Sequence, residues 1–253
     1  MPAPRSALLV LIVVLAGCTG GQPQSDPAAE RIVNESVDAL QRVDSYRYTI
    51  DGTVEITQGD QSRSIRISGS GVLNATQQRM RSTARGDGDN KTAFVDGDTV
   101  YVSCPSSRFG NVDDAWYPAS NLSTDGSWRD ATDLAVGRFL QGVPVSDAGN
   151  DTLDGNRTRV VVARPSPDQF RDLESRLTVQ SGENLNRGRI QNVSVRVWFD
   201  AKTDRPHQIR YEVRSSVDGA TLRQRQTVRF QYQPATVSLP RTVPTEDACP
   251  DPA

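Results

Sequence analysis

From Ser45 the chain alternates strictly. Tyr46, Tyr48, Ile50, Val54 and Ile56 fall on one side, and Arg47, Thr49, Asp51, Thr53, Glu55 and Thr57 on the other. A period of two is that of a strand with one wet face. Gly52, in the middle of this long strand, removes a side chain and permits a bend. Gly59-Asp60 turns the chain back into a second strand, where Ile65, Ile67 and Leu73 share a face with Gly69 and Gly71. Shorter strands are predicted around Met80 and Phe94 and over Thr99 to Cys104, with Asp96-Gly97 as a hairpin turn.

Before this meander the period is helical. Ile32, Val33, Val37, Leu40 and Val43 recur at three- and four-residue steps, with Asn34, Glu35, Asp38 and Arg42 opposite, which predicts a helix over 28–43. The middle of the chain is irregular. Trp116-Tyr117-Pro118 and Trp128 sit in turn-rich sequence, and a short helix is predicted over 130–141. Val143 to Thr158 reads as loop and Thr158 to Ala163 as a strand. Ser166-Pro167-Asp168-Gln169 then opens a helix over 166–178 with a capping box and proline in its first turn.

Three long strands follow. Val193, Val195, Val197 and Phe199 alternate with Asn192, Ser194, Arg196 and Trp198. Ile209, Tyr211 and Val213 alternate with Gln208, Arg210, Glu212 and Arg214. Leu222, Val228 and Phe230 face away from Arg223, Arg225 and Arg229, with Asp218-Gly219 as the last turn. Strands wet on one side only belong to an antiparallel sheet that covers something on its other side. The expected fold is therefore mainly β with a few helices (α+β), and the helices cover the concave face of the sheet. Gln224 and Gln226 share the inward face of the last strand, so the interior is partly polar.

The N-terminus carries a different pattern. Arg5 precedes an unbroken apolar run from Ala7 to Ala16, which is too short for the roughly 20 residues that span a bilayer. Charge, length and small-residue exit are those of a secretory leader over 1–17. Its ending, Leu15-Ala16-Gly17-Cys18, resembles the lipobox of bacterial and archaeal lipoproteins, which implies lipid on Cys18 and attachment at the extracytoplasmic face of the membrane. The polar residues 18–27 read as a flexible tether, 28–245 as a single domain, and 246–253 as a tail.

Composition adds the setting. Two of the 29 basic residues are lysines, Lys91 and Lys202, and aspartates outnumber glutamates 24 to 7. That bias fits a GC-rich, salt-adapted source, and a haloarchaeal surface protein is the expectation. The net charge of -2 is too small to imply nucleic acid. Sequons stand at Asn34, Asn74, Asn90, Asn121, Asn150, Asn156 and Asn192. About two would arise by chance, so the excess fits an exported glycoprotein. With Cys18 assigned to lipid, Cys104 and Cys249 are left as a candidate disulfide. The rival is a metal site, but these two cysteines and the single histidine, His207, fall short of four ligands unless carboxylates contribute.

No catalytic residue, cofactor or metal ligand is assigned. A His-dependent triad would need His207, which follows Pro206 at the head of a strand, and no Gly-x-Ser-x-Gly elbow occurs.

Val197-Trp198-Phe199-Asp200-Ala201-Lys202-Thr203-Asp204-Arg205-Pro206, with the later Val237-Ser238-Leu239-Pro240, resembles the closing half of LolA- and LppX/LprG-like lipoprotein-carrier folds. Asp44 to Thr49 and Asp96 to Val102 resemble the opening half. The resemblance implies a half-open antiparallel β-barrel whose helices plug a hydrophobic cavity that takes acyl chains. Cavity candidates are Tyr46, Tyr48, Ile50, Val54, Ile56, Val195, Val197, Phe199, Ile209, Tyr211 and Val213. Two functions follow: a surface-tethered carrier of a hydrophobic, lipid-like ligand, or a non-catalytic structural or interaction lipoprotein with a filled core. An enclosed or groove-like void of roughly 300 Å³ or more separates the first from the second.

Overall fold

The computed structural model describes residues 25–86, 89–103, 116–118, 135–171 and 189–238. The expected leader over 1–17, Cys18, Cys104, Asn121, Cys249 and residues 246–253 lie outside the described residues. So do the first half of the predicted 130–141 helix and all but the opening of the 166–178 helix.

The expected meander is a single eleven-stranded antiparallel sheet. Its strands are β1 (Ser45–Gln58), β2 (Gln61–Asn74), β3 (Arg79–Gly86), β4 (Asp89–Asp96), β5 (Thr99–Ser103), β6 (Trp116–Pro118), β7 (Val145–Leu153), β8 (Asn156–Ala163), β9 (Arg189–Asp200), β10 (Pro206–Val217) and β11 (Ala220–Gln231). The order across the sheet is β6-β5-β4-β3-β2-β1-β11-β10-β9-β8-β7. Two meanders are thus joined where β1 pairs with β11, and β6 and β7 are left as edges. The sheet is open and curled, as expected for a half-open barrel.

Small residues allow the curl. By register, Gly69, Gly71, Ser82, Ala84 and Gly86 lie on the inner face of β2 and β3, where larger side chains would hold the strands apart. On β1, a Cβ on Gly52 would fall 2.6 Å from the Arg225 carbonyl oxygen and 3.0 Å from Ile67 Cγ1.

Helix α1 (Pro27–Gln41) starts at Asp26, whose carboxylate caps the amide of Ala28 at 2.8 Å, with proline in the first turn. It turns Ala29, Ile32, Val33, Ser36, Ala39 and Leu40 inward and leaves Asn34 exposed. Ser36, a polar residue, replaces the expected Val37 at the centre of the buried stripe; Val37 instead meets Gly137 of α2 (Ala135–Gln141). The last residues of the expected 18–27 tether have partners in the fold. Ser25 and Asp26 are docked on β7, with the Asp26 amide donating to the Val145 carbonyl at 2.8 Å and the Val145 amide to Ser25 Oγ at 3.3 Å.

The predicted Val143–Thr158 loop is a hairpin. β7 is an edge strand with Val145 buried and nearly everything after it exposed, so it has no apolar alternation to read. A register shift between Asp147 and Asn150, with Gly149 at φ 84°, bulges it further, as an extra residue in one strand does. Its turn, Asp154-Gly155, has both residues at positive φ, 50° and 79°, as a type I′ hairpin requires. Trp116-Tyr117-Pro118 likewise proves to be a short edge strand on β5.

The main core joins α1 and α2 to the inner face of both meanders. At its base Tyr46 packs with Tyr48, Phe230 and Tyr232, its ring centroid 6.3 Å, 5.8 Å and 6.0 Å from theirs. Such tilted aromatic contacts add to what area burial alone supplies. A second, smaller core lies on the outer face, where Phe94, Trp116 and Val237 pack with Val72 and Tyr101. The chain after β11 reaches it as a strap. Ser45 Oγ bonds to Gln233 and Ala235, Asn74 Nδ2 donates to the Ala235 carbonyl at 2.7 Å, and the Val237 amide donates to Gln77 Oε1 at 3.0 Å.

Candidate functional site

Most of the eleven cavity candidates are spent on the core. Tyr46, Tyr48, Val195, Val197, Phe199, Ile209 and Val213 are buried against the helices and each other, and Val54 is buried as well. Ile50, Ile56 and Tyr211 are half-buried. The base of the sheet is therefore packed, because its inward residues are aromatic and fill the space that the helices leave.

Of the half-buried inward residues, Ile50, Tyr211 and Val228 pack against the margin of this core. By cross-strand register, the inner face runs outward from the base in rows. One row holds Gly69, Ile50, Val228, Ile209, Val197 and Val161; the next holds Ile67, Gly52, Gln226, Tyr211 and Val195. Beyond them come Ile65, Val54, Gln224, Val213 and Val193, then Arg63, Ile56, Leu222 and Ser215. On β9 and β10 the residues of the outer rows are mostly buried, whereas on β2, β1 and β11 Ile50, Ile56, Ile65, Ile67, Leu222 and Val228 stay half-buried. This strip, with Gln224 and Gln226 within it, is the candidate site. α1 lies against β7 and β8, toward the other edge of the sheet.

Alternation placed Ile65, Ile67, Leu222 and Val228 on inward faces without assigning them to the site. The register β1–β11 would have supplied Leu222 and Val228, since Tyr48, Ile50 and Ile56 stand opposite Phe230, Val228 and Leu222. That pairing joins residues about 170 positions apart and cannot be read from local periodicity.

A depression of about 350 Å³ opens in the same region of the sheet but on its opposite face. Thr49, Asp51, Ser68, Ser70, Thr83 and Arg85 line it, with Ile50 and Gly69 between them, so its size meets the threshold for a ligand site while most of its side chains are polar or charged. The outer face beside it is an ion-pair lattice. Asp51 pairs with Arg229 at 3.3 Å, Glu55 with Arg225 at 3.1 Å, and Glu212 with Arg223 at 2.8 Å and Arg225 at 3.7 Å. The Arg223 hydrogen bond is the main reason that the Glu212 carboxyl is held below its ordinary value, against a smaller upward push from burial. The arginine row of the last strand is thus paired with carboxylates rather than standing free.

Other sequence-marked residues have structural partners. Trp198, on the expected wet face of β9, is 5% exposed. Arg196 and Arg210 lie 5.8 Å and 5.5 Å from its ring centroid, and its Nε1 donates to Asp151 at 3.0 Å. Both guanidinium groups are within the range of cation–π attraction. His207 Nε2 lies 3.4 Å from Asp154 on the β7–β8 turn. Among the described residues, no group of three His, Cys, Asp or Glu side chains comes together to hold a metal, and no helix is long and apolar enough to cross a membrane. Of the sequons, Asn34, Asn150, Asn156 and Asn192 are exposed, while Asn74 is engaged by the strap.

No protein-family model matches the chain, and no curated protein sequence does. Among solved structures the chain is similar to the lipoprotein LppX of Mycobacterium tuberculosis, at 16% identity and a TM-score of 0.45, covering 85% of this chain and 100% of that one. It is similar to LprF from Mycobacterium bovis, at 13% identity and a TM-score of 0.45, over 86% and 98% of the two chains. A putative outer membrane lipoprotein-sorting protein domain from Vibrio parahaemolyticus follows, at 10% identity and a TM-score of 0.30, over 80% and 93%.

Proposed function

We propose that this chain is a cell-surface lipoprotein, held at the extracytoplasmic face of the membrane by lipid on Cys18, that carries a hydrophobic ligand on the concave face of its sheet. The observation that carries the reading is the half-buried strip of Ile50, Ile56, Ile65, Ile67, Leu222 and Val228. Each apolar Å² removed from water is worth about 25 cal/mol, so a ligand lying along six aliphatic side chains gains affinity without any reacting group. The sheet does not close, so a long apolar molecule can enter from the side. No residue needs to act on it chemically. The sequons at Asn34, Asn150, Asn156 and Asn192 point away from the packed core and suit a glycosylated exterior.

The filled-core reading keeps one specific support, the burial of Tyr46, Tyr48, Val195, Val197, Phe199, Ile209 and Val213 in the core. It makes the chain a structural or interaction module with no ligand. Mass spectrometry of organic extracts separates the two, using mature Cys18→Ser protein purified without detergent so that anchor lipid does not contribute. A near-stoichiometric hydrophobic molecule supports the carrier. Protein that carries none, and takes up none from vesicles, is the filled module.

A further inference from the structure

The strip is not uniformly apolar, and its polar members are uncharged. Gln226 stands opposite Gly52 on one side and Tyr211 on the other, and Gln224 stands opposite Val54 and Val213. A Cβ on Gly52 would meet Gln226 Cγ at 3.1 Å, so the glutamine stem lies across the bare glycine on the concave side. The two amides meet in one long hydrogen bond, Gln224 Nε2 to Gln226 Oε1 at 3.4 Å. A primary amide offers two donors and a carbonyl with two lone pairs. The Gln226 NH2 and the Gln224 carbonyl therefore keep unused capacity among the described residues, on half-buried side chains flanked by Ile65, Ile67 and Val228.

Resting on the carrier reading, we propose that the ligand is an uncharged amphiphile whose hydroxyl, ester, ether or amide group bonds to Gln224 and Gln226, with its chains along the isoleucine strip. A half-buried amide pair recognises a neutral donor or acceptor, which replaces the water that it displaces. A carboxylate at the same point loses hydration without gaining a counter-charge. The charges of these strands are turned to the other face and paired there, Glu55 with Arg225 and Glu212 with Arg223. Arg63 closes the concave face one row beyond Gln224, on an exposed stretch of β2, and is already engaged.

The test uses mature Cys18→Ser protein, stripped of lipid, and displacement of a fluorescent fatty probe by three eighteen-carbon ligands: oleyl alcohol, oleate at pH 8 and octadecene. The alcohol is expected to bind at least tenfold more tightly than oleate or octadecene. In Gln224→Leu/Gln226→Leu the preference for alcohol over octadecene is expected to vanish while octadecene still binds. Wild-type protein that binds alcohol and octadecene equally overturns the proposal and leaves the carrier reading intact. Oleate binding as tight as the alcohol, lost in Arg63→Ala, overturns it too, by placing the head group at the rim. Displacement by none of the three refutes the carrier reading itself, and this proposal with it. The wild-type series decides the matter even if the double variant does not fold.

Discussion

The ring of Tyr48 lies against the backbone of Gly71, so closely that a Cβ there would fall 2.2 Å from Tyr48 Cζ. Tyr48 is 2% exposed and packed against Tyr46 within the core, so its ring has little room to yield. Gly71→Ala is therefore expected to destabilise the protein by about 1–3 kcal/mol, the range for overpacking, read as a drop in melting temperature. The cost is specific to the pair. In Tyr48→Leu the same Gly71→Ala change is expected to cost much less, and equal costs in both backgrounds would refute the contact.

Arg159 ties three parts of the chain together. One guanidinium nitrogen bonds Glu35 of α1 at 2.8 Å and the other bonds Asp204, in the β9–β10 turn. The carboxylates are 41% and 37% exposed, so solvent screens much of the charge. Arg159→Met is expected to cost on the order of 1–2 kcal/mol, with faster hydrogen exchange confined to α1 and the 201–205 turn. Arg159→Lys is not expected to rescue it, because one ammonium cannot reach both partners as a planar fork does. Uniform loss of protection across the sheet would assign Arg159 a general packing role instead.

Glycan occupancy is expected to follow exposure rather than sequon identity. Asn74 Nδ2, the atom that would carry sugar, donates to the Ala235 carbonyl while its Oδ1 accepts from the Gln77 amide at 2.8 Å. Glycopeptide mapping should find Asn74 bare where Asn34, Asn150, Asn156 and Asn192 are modified. Asn74→Ala should loosen the strap and cost about 1 kcal/mol. Full occupancy at Asn74 in stably folded protein would contradict the strap.

Acid stability depends in part on Glu212. Its folded-state value lies below the ordinary 4.5, chiefly through the Arg223 hydrogen bond. A depressed carboxyl contributes stability above its unfolded value and loses it as pH falls through the folded one. Wild type should therefore be more stable than Glu212→Gln at pH 7, and the two melting temperatures should converge as pH falls below the ordinary carboxyl value. A gap that persists undiminished at low pH would exclude the charge as its cause.

Strands with one wet face were legible because burial imposes a period of two, and the long strands from Tyr46 to Ile56 and from Val193 to Phe199 stand where alternation puts them. β7 was not legible, since an edge strand such as Val145–Leu153 buries almost nothing and carries Asp, Gly and Asn. Asp154-Gly155 was the signal that could have exposed it. The site was half legible. Alternation identified the inward face, but which residues the core consumes depends on where α1 lands and how β1 meets β11. The Arg159 clasp and the Asn74 strap join residues 124 and 161 positions apart, and no local pattern announces them.

The concave strip can be tested residue by residue, because isoleucines fall on both sides of the question. Ile50, Ile56, Ile65 and Ile67 line the strip, whereas Ile32, Ile190 and Ile209 are buried in the core. Methyl NMR of isoleucine-labelled Cys18→Ser protein, titrated with a nitroxide-bearing eighteen-carbon alcohol, reads each site separately. Carriage on the strip predicts saturable broadening of the Ile50, Ile56, Ile65 and Ile67 methyls, strongest in that set, with Ile32, Ile190 and Ile209 much less affected. Seven methyls that broaden alike, or not at all at saturating ligand, would contradict it.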